Sequence, residues 1–380
     1  MRWGIILCKF SDQPQEPFTL AFARDLIAGA GSLRDYWTTM SFGSLETTIA
    51  FADGWNTLSM TLAAFGPLSR GNRIAQCFAD YQNRPHPNGI PPFDRVIAFI
   101  NGAIDSGSAN GNILIDPNAL RPTFIAHEMG HALGLDHSFD TSSVTWDANS
   151  DARPGAYGNS FDIMSAENFA NLPATFPSRF GAAGPGLNAL TRERMKWLPP
   201  AKITTITHKP GETFSMQVTV GALDNAAVAA ASLLKIEAAG GSVNGAPLPP
   251  ATYLVEFRPK IGWDAGAAAD AIVIHMLRAP DVARIAWSPA DDQAWRPNSR
   301  FVDVARAISL SVVFVAADKS RADVFLSTGT AVRLPMMSVR KSLAHKFDLK
   351  QGLRAIVPRP PFRRGSVRDR LLDNPPQFAP

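Results

Sequence analysis

Cysteine is nearly absent: 380 residues hold only Cys8 and Cys77. Two thiols cannot staple a disulfide scaffold or supply a cysteine-rich zinc module. Cys8 lies in an apolar run and Cys77 in a helical-looking stretch, which suits two buried thiols, with a single disulfide as the alternative. Charge is also sparse, at 18% of residues against 46% hydrophobic. That balance excludes a mostly disordered chain and, at this length, allows two domains with real cores. No run of 18 uncharged apolar residues occurs, so a transmembrane helix is excluded. The opening MRWGIILCKFSD has no cleavage pattern of a secretory signal and reads as a strand. Either no such signal is used, or a leader and any pro-segment lie outside this sequence.

The excess of positive charge is confined to one end. Residues 321–380 hold twelve Lys/Arg against four Asp/Glu, so the first 320 residues are net acidic although the whole chain is +4. A basic fold built for specific nucleic-acid binding is therefore not supported. The densest charge is Arg363, Arg364, Arg368 and Arg370, in a stretch without hydrophobic periodicity. It reads as a solvated flexible tail, or as a contact with an anionic cell surface.

Patterning along the chain divides it in three. Residues 1–198 read as mixed α/β: strands at 3–10, 45–51, 95–100 and 110–116, helices at 19–28, 32–40 and 67–84, and a further helix starting near Pro122. After Pro199–Pro200, residues 199–330 carry seven short β-like runs between Gly, Pro, Asn and Asp clusters, as an antiparallel sandwich would. Residues 331–380 form the basic tail.

One segment carries chemistry. Residues 124–137, FIAHEMGHALGLDH, fit H-E-x-x-H-x-x-G-x-x-H without a mismatch. His127 and His131 are four apart, so on a helix both imidazoles leave one face and can share a metal. Glu128 lies about 100° round the helix from His127, within reach of a water at that metal without being a ligand. Gly134 can take a positive φ, end the helix abruptly and let the chain bring His137 back as the third ligand. Three neutral imidazoles leave a fourth zinc position open, the pattern of a catalytic site, with Glu128 as general base.

With these residues the chain resembles the metzincin zinc peptidases. The segment YGNSFDIMS, residues 157–165, resembles that family's Met-turn, with Met164 matching the methionine that floors the three histidines. FSDQP at 10–14, YWTTMSFGSLETT at 36–48, RMKWLPP at 194–200 and YLVEFRPKIGWD at 253–264 make it similar in detail to the immune-inhibitor-A and gametolysin-like group. The resemblance spans about residues 1–327. It implies a twisted mixed sheet with an active-site helix, then an all-β sandwich. It further implies one catalytic Zn2+, a protein or peptide substrate lying along an edge strand near residues 110–116, a pocket formed by 166–180, and secretion. Some relatives place a metal-binding Tyr two residues after the methionine; here that residue is Ala166.

Other residues stay open at this point. Asp136 could replace His137 as a ligand, although the family register favours the histidine. Tyr157 could contact substrate or the oxyanion, or simply pack its ring. Asp147, Asn149 and Asp151 alternate like a Ca2+ loop but lack its Gly and distal Glu, and an ordinary polar loop fits as well. His86, His208, His275 and His345 have no ligand spacing and read as structural or solvated. The expected activity is a zinc-dependent endopeptidase; the rivals are a zinc-dependent cell-wall peptide amidase and a non-catalytic adhesion protein.

Overall fold

The computed structural model describes residues 1–86, 92–145, 151–168, 183–279, 282–288 and 292–329. The basic tail, His345, Asp147, Asn149 and most of the expected pocket at 166–180 lie outside the described residues. Within them the chain is mixed α/β, with few helices and several sheets, among them mixed ones.

Alternate residues of the first strand, β1 (Arg2–Lys9), face two different cores. Its unbroken apolar text is what a strand covered on both faces requires. It pairs in parallel with β2 (Thr48–Thr57) and with β3 (Arg95–Ile100). A hairpin of β4 (Gly107–Ala109) and β5 (Asn112–Ile115) completes the sheet, β5 parallel to β3 and β4 antiparallel at the edge. Trp3, Ile5 and Leu7 pack with α1 (Leu20–Ala28), α2 (Leu33–Met40) and a later helix on one face. Ile6, Cys8 and Phe10 pack on the other face with α3 (Leu62–Phe65) and α4 (Arg70–Gln82). Local signals set these helices: Thr19 caps α1 through the Phe22 N–H, and Ser69 caps α4 through that of Asn72. Cys8 and Cys77 meet in the α4-side core as buried free thiols, and burial pushes the Cys8 thiol up, with Cys77 adding to the effect.

The expected strand at 110–116 starts two residues too early. Asn110 and Gly111 both have positive φ, 52° and 75°, and form the two-residue turn between β4 and β5. Asn-Gly is the dipeptide such hairpins prefer, so the signal was present in the sequence. As a result β5 is interior, and the free edge expected there belongs to β4.

The helix α5 (Pro122–Ala132) starts with Pro at a first-turn position, as expected, and crosses the α1/α2 face of the sheet. After it, β6 (Phe139–Asp140) leaves this sheet and pairs with a strand far along the chain. A short helix, α6 (Ala189–Arg194), precedes the β-rich half. There β7 (Ile203–His208), β8 (Ser215–Gly221), β9 (Leu233–Ala238), the ribbon β10 (Gly241–Val243) and β11 (Ala246–Leu248), β12 (Ala251–Arg258), β13 (Ala271–Ala279), β14 (Val282–Ile285), β15 (Arg300–Asp303), β16 (Ile308–Val315) and β17 (Arg321–Thr328) follow. They form a six-stranded sheet, β6-β14-β13-β12-β9-β7, and a four-stranded one, β15-β16-β17-β8. Leu234, Ile236, Val255 and Ile274 of the first share one apolar cluster with Val220, Leu310, Val324 and Leu326 of the second.

A buried polar seam joins the sheet of β12 to the segment before α6. Arg258 pairs with Glu256 at 3.0 Å and with Asp264 at 2.6 Å, all fully or nearly fully buried. Glu256 then accepts the Ala189 N–H and Asp264 that of Gly186. Burial opposes the charge on Arg258, but Asp264 and then Glu256 hold its guanidinium firmly protonated. Among the described residues, no helix is long and apolar enough to cross a membrane.

Candidate metal centre

The end of α5 is built for a sharp exit. Leu135 N–H donates to Gly130 O at 3.0 Å and Gly134 N–H to His131 O at 2.9 Å, the paired bonds of a Schellman cap. Gly134 has φ +89° with nothing near its missing Cβ, so conformation alone demands glycine there. The chain reverses, and His137 returns to the face carrying His127 and His131.

All three imidazoles are oriented from behind. His127 Nδ1 lies 2.9 Å from Ile163 O, His131 Nδ1 2.9 Å from Leu135 O, and His137 Nδ1 2.8 Å from Asp151 Oδ2. Carbonyls and an ionised carboxylate only accept, so each Nδ1 carries the proton and each Nε2 presents a lone pair. These lone pairs converge: His131 Nε2 is 3.0 Å from that of His127 and 3.1 Å from that of His137. Two acceptors cannot bond each other, and the converging lone pairs leave a seat that a cation would fit. The three side chains could hold a metal ion. Tetrahedral ligation at the usual Zn–N length separates nitrogens by about 3.3 Å, close to the spacing here.

Burial favours the neutral forms of His127 and His137. Burial pushes His127 down to about 3, with His131 contributing in the same direction. Burial also lowers His137, against the opposing pull of Asp151. The Arg153 guanidinium beside Asp151 holds that carboxyl well below the usual carboxylate range, and the His137 bond adds to this.

Met164 lies beneath the helix, almost fully buried, at the point where α5 carries Gly130. A Cβ on Gly130 would overlap Met164 Sδ, so this glycine is a requirement of close approach. The methionine is locked by Asp162, which accepts its N–H at 2.8 Å, and by the Ser138 N–H donating to its carbonyl. Asp162 is itself raised by burial and takes the Asn188 N–H at 3.0 Å. Behind the turn, Asn159 bonds His275 Nε2 at 3.0 Å, and burial pushes His275 down to about 4.

Glu128 shares the helix but not the imidazole cluster. Its Oε2 accepts the Ser108 N–H of the edge strand β4 at 2.7 Å. Ser108 is the β4 residue whose backbone faces away from β5, and its carbonyl accepts from Arg70 at 3.3 Å. The Tyr157 hydroxyl reaches 2.8 Å from His137 Nε2, from a backbone at φ +64°.

The structure thus brings together His127, His131, His137, Tyr157 and Met164, with Gly134 at the turn and Glu128 alongside. Asp136 is not among them: it is exposed and faces Arg153 at 2.7 Å. Asp151 spends its carboxylate on His137 and Arg153, two partners a Ca2+ ligand would not need. Ala166 lies in the 3-10 turn Ile163–Asn168. His86 and His208 bond the carbonyls of Tyr81 and Glu212, away from the cluster. Sequence reasoning missed Gly130, Ser108 and Arg153 and read Asp151 only as part of a possible Ca2+ loop; of these only Ser108, two before Asn-Gly, carried a local signal. No family model matches this chain, and no curated protein matches it.

Proposed function

We propose that this chain is a zinc-dependent endopeptidase of the metzincin type. Residues 1–198 would form the peptidase domain and 199–330 a β-sandwich, each with a main apolar cluster of its own, while Trp263 joins the first cluster and two smaller ones span the boundary. The observation that carries the proposal is the convergence of three Nε2 lone pairs at 3.0–3.1 Å with a carboxylate one residue along the same helix. His127, His131 and His137 would hold the zinc. Bound there, zinc supplies Lewis acidity, polarising the scissile carbonyl and lowering the pKa of water to roughly 7.

The protein's own groups do the rest. Glu128 takes the proton of the attacking water and passes it to the leaving amine, a role worth about 10²- to 10⁴-fold in rate. Without substrate the Ser108 N–H holds one oxygen of Glu128, and giving up that bond to a peptide would free the carboxylate for the transfer. Tyr157, with its hydroxyl at the imidazole cluster, is suited to donate to the developing oxyanion or to substrate. An extended peptide would lie along β4 by strand addition. It would have to take over the two Ser108 bonds now made to Glu128 and Arg70. The resemblance further points to action outside the cytoplasm.

The test is digestion of casein and of a peptide library by the zinc-loaded chain and by Glu128→Ala. We expect cleavage by the former, a loss of at least about 10²-fold in the variant, and equal zinc content in both. No cleavage by a folded, zinc-loaded chain would overturn the endopeptidase reading.

A further inference from the structure

We propose that Asp151, clamped by Arg153, is the positioning residue that makes His137 a metal ligand. The inference deepens the metal-site reading above and rests on it. His127 and His131 take their register from α5, and main-chain carbonyls fix their rings. His137 lies beyond the helix, past the Gly134 turn, and a side chain orients its ring instead.

That side chain is buried and tightly held. Asp151 Oδ1 accepts the Arg153 N–H at 2.9 Å and Nε at 3.0 Å, while Oδ2 accepts Nη2 at 2.6 Å and His137 Nδ1 at 2.8 Å. The same guanidinium reaches Asp136, Nη1 to Oδ2 and Nη2 to Oδ1, both at 2.7 Å. Asp136 Oδ1 in turn accepts the main-chain N–H of His137 at 2.8 Å. The bonds close a ring: His137 backbone, Asp136, Arg153, Asp151, His137 imidazole. Both ends of one ligand residue are held by one cation. The guanidinium also lies 4.8 Å over the Phe139 ring, which Arg284 of β14 approaches at 5.2 Å.

The chemistry follows from where the proton sits. A carboxylate accepting Nδ1–H fixes the tautomer, directs Nε2 to the metal and raises its basicity. Arg153 places one positive charge between the two carboxylates of the Asp136, His137 and Asp151 cluster. Its positive charge is built in.

The experiment measures Zn2+ affinity by competition with a chromophoric chelator, in a Glu128→Gln background so that no turnover is involved. Asp151→Ala should bind about 10- to 100-fold more weakly. Asp151→Asn, keeping an acceptor oxygen without its charge, should fall between, and Arg153→Gln should lose less than Asp151→Ala. In the metal-free protein, 15N spectra should show the His137 Nδ1–H tautomer, and Asp151→Ala should lose it. His137→Ala sets the scale for a missing ligand. Affinity within twofold of the parent in Asp151→Ala, with His137→Ala clearly weakened, overturns the proposal. If Asp151→Ala does not fold, unchanged affinity in both Asp151→Asn and Arg153→Gln overturns it. A parent that binds no zinc sinks both this inference and the metal-site reading. Weakened binding in Asp151→Ala, alongside a wild type that cleaves no peptide, leaves the clamp standing and removes only the endopeptidase.

Discussion

At the residue scale, the three clustered imidazoles differ in what holds them, and one other buried histidine bonds the segment that leads to Met164. His275 accepts from Asn159, five residues before Met164, and is kept neutral by burial, at about 4 against an ordinary 6.5. Between those values the unfolded chain binds a proton that the folded chain refuses. His275 therefore contributes its full stability above pH 6.5 and loses it as pH falls towards 4, by about 3 kcal/mol in all. In metal-free protein His127, pushed down to about 3, acts in the same direction. Urea midpoints of metal-free protein should fall steadily from pH 7 to pH 4.5, and His275→Gln should flatten that slope by about one proton. An equal slope in the variant would show that His275 does not report on folding. None of this was legible from the text around His275, because an isolated histidine carries no spacing, and its burial is made by β13 and its neighbours.

At the element scale, α5 and the turn that ends it hold two glycines with different reasons for being glycine. Gly134 meets empty space and needs only its positive φ, so Gly134→Ala should cost about 1 kcal/mol. Gly130 is helical and its substitution meets Met164 Sδ, so Gly130→Ala should cost about 1–3 kcal/mol through overpacking. Trimming the methionine separates the cases. Met164→Ala should relieve the Gly130→Ala penalty in a double-mutant cycle of thermal unfolding and leave the Gly134→Ala penalty additive. Additivity in both would mean that Met164 does not crowd the helix. Gly134 was legible because its function is local to the helix end. The need at Gly130 was not, since it depends on a residue 34 positions away. The β4–β5 hairpin teaches the complementary lesson: Asn110-Gly111 announced a turn, and apolar periodicity alone placed a strand across it.

At the scale of the whole molecule, the expected boundary near residue 198 is crossed by bonds that reach the metal centre. β6, between His137 and Met164, pairs with β14, and the start of α6 and the residues before it are anchored by Glu256 and Asp264. Arg258 holds both carboxylates without contact with solvent. Arg258→Met should strand two buried charges and cost about 3–5 kcal/mol, seen as a single lowered transition in denaturant. If only the β-rich half lost stability, leaving zinc affinity at its parental value in partially unfolded protein, the two parts would be independent. The three clustered histidines, the glutamate beside them, the helix that carries most of them and most strands could be read from the sequence, because helical spacing, caps and alternation are properties of neighbouring residues. What orients His137, what crowds Gly130 and what backs the turn at Met164 required the tertiary structure. Those partners are set by how distant segments pack, and a carboxylate or arginine in a loop looks the same in sequence whether it faces water or a ligand.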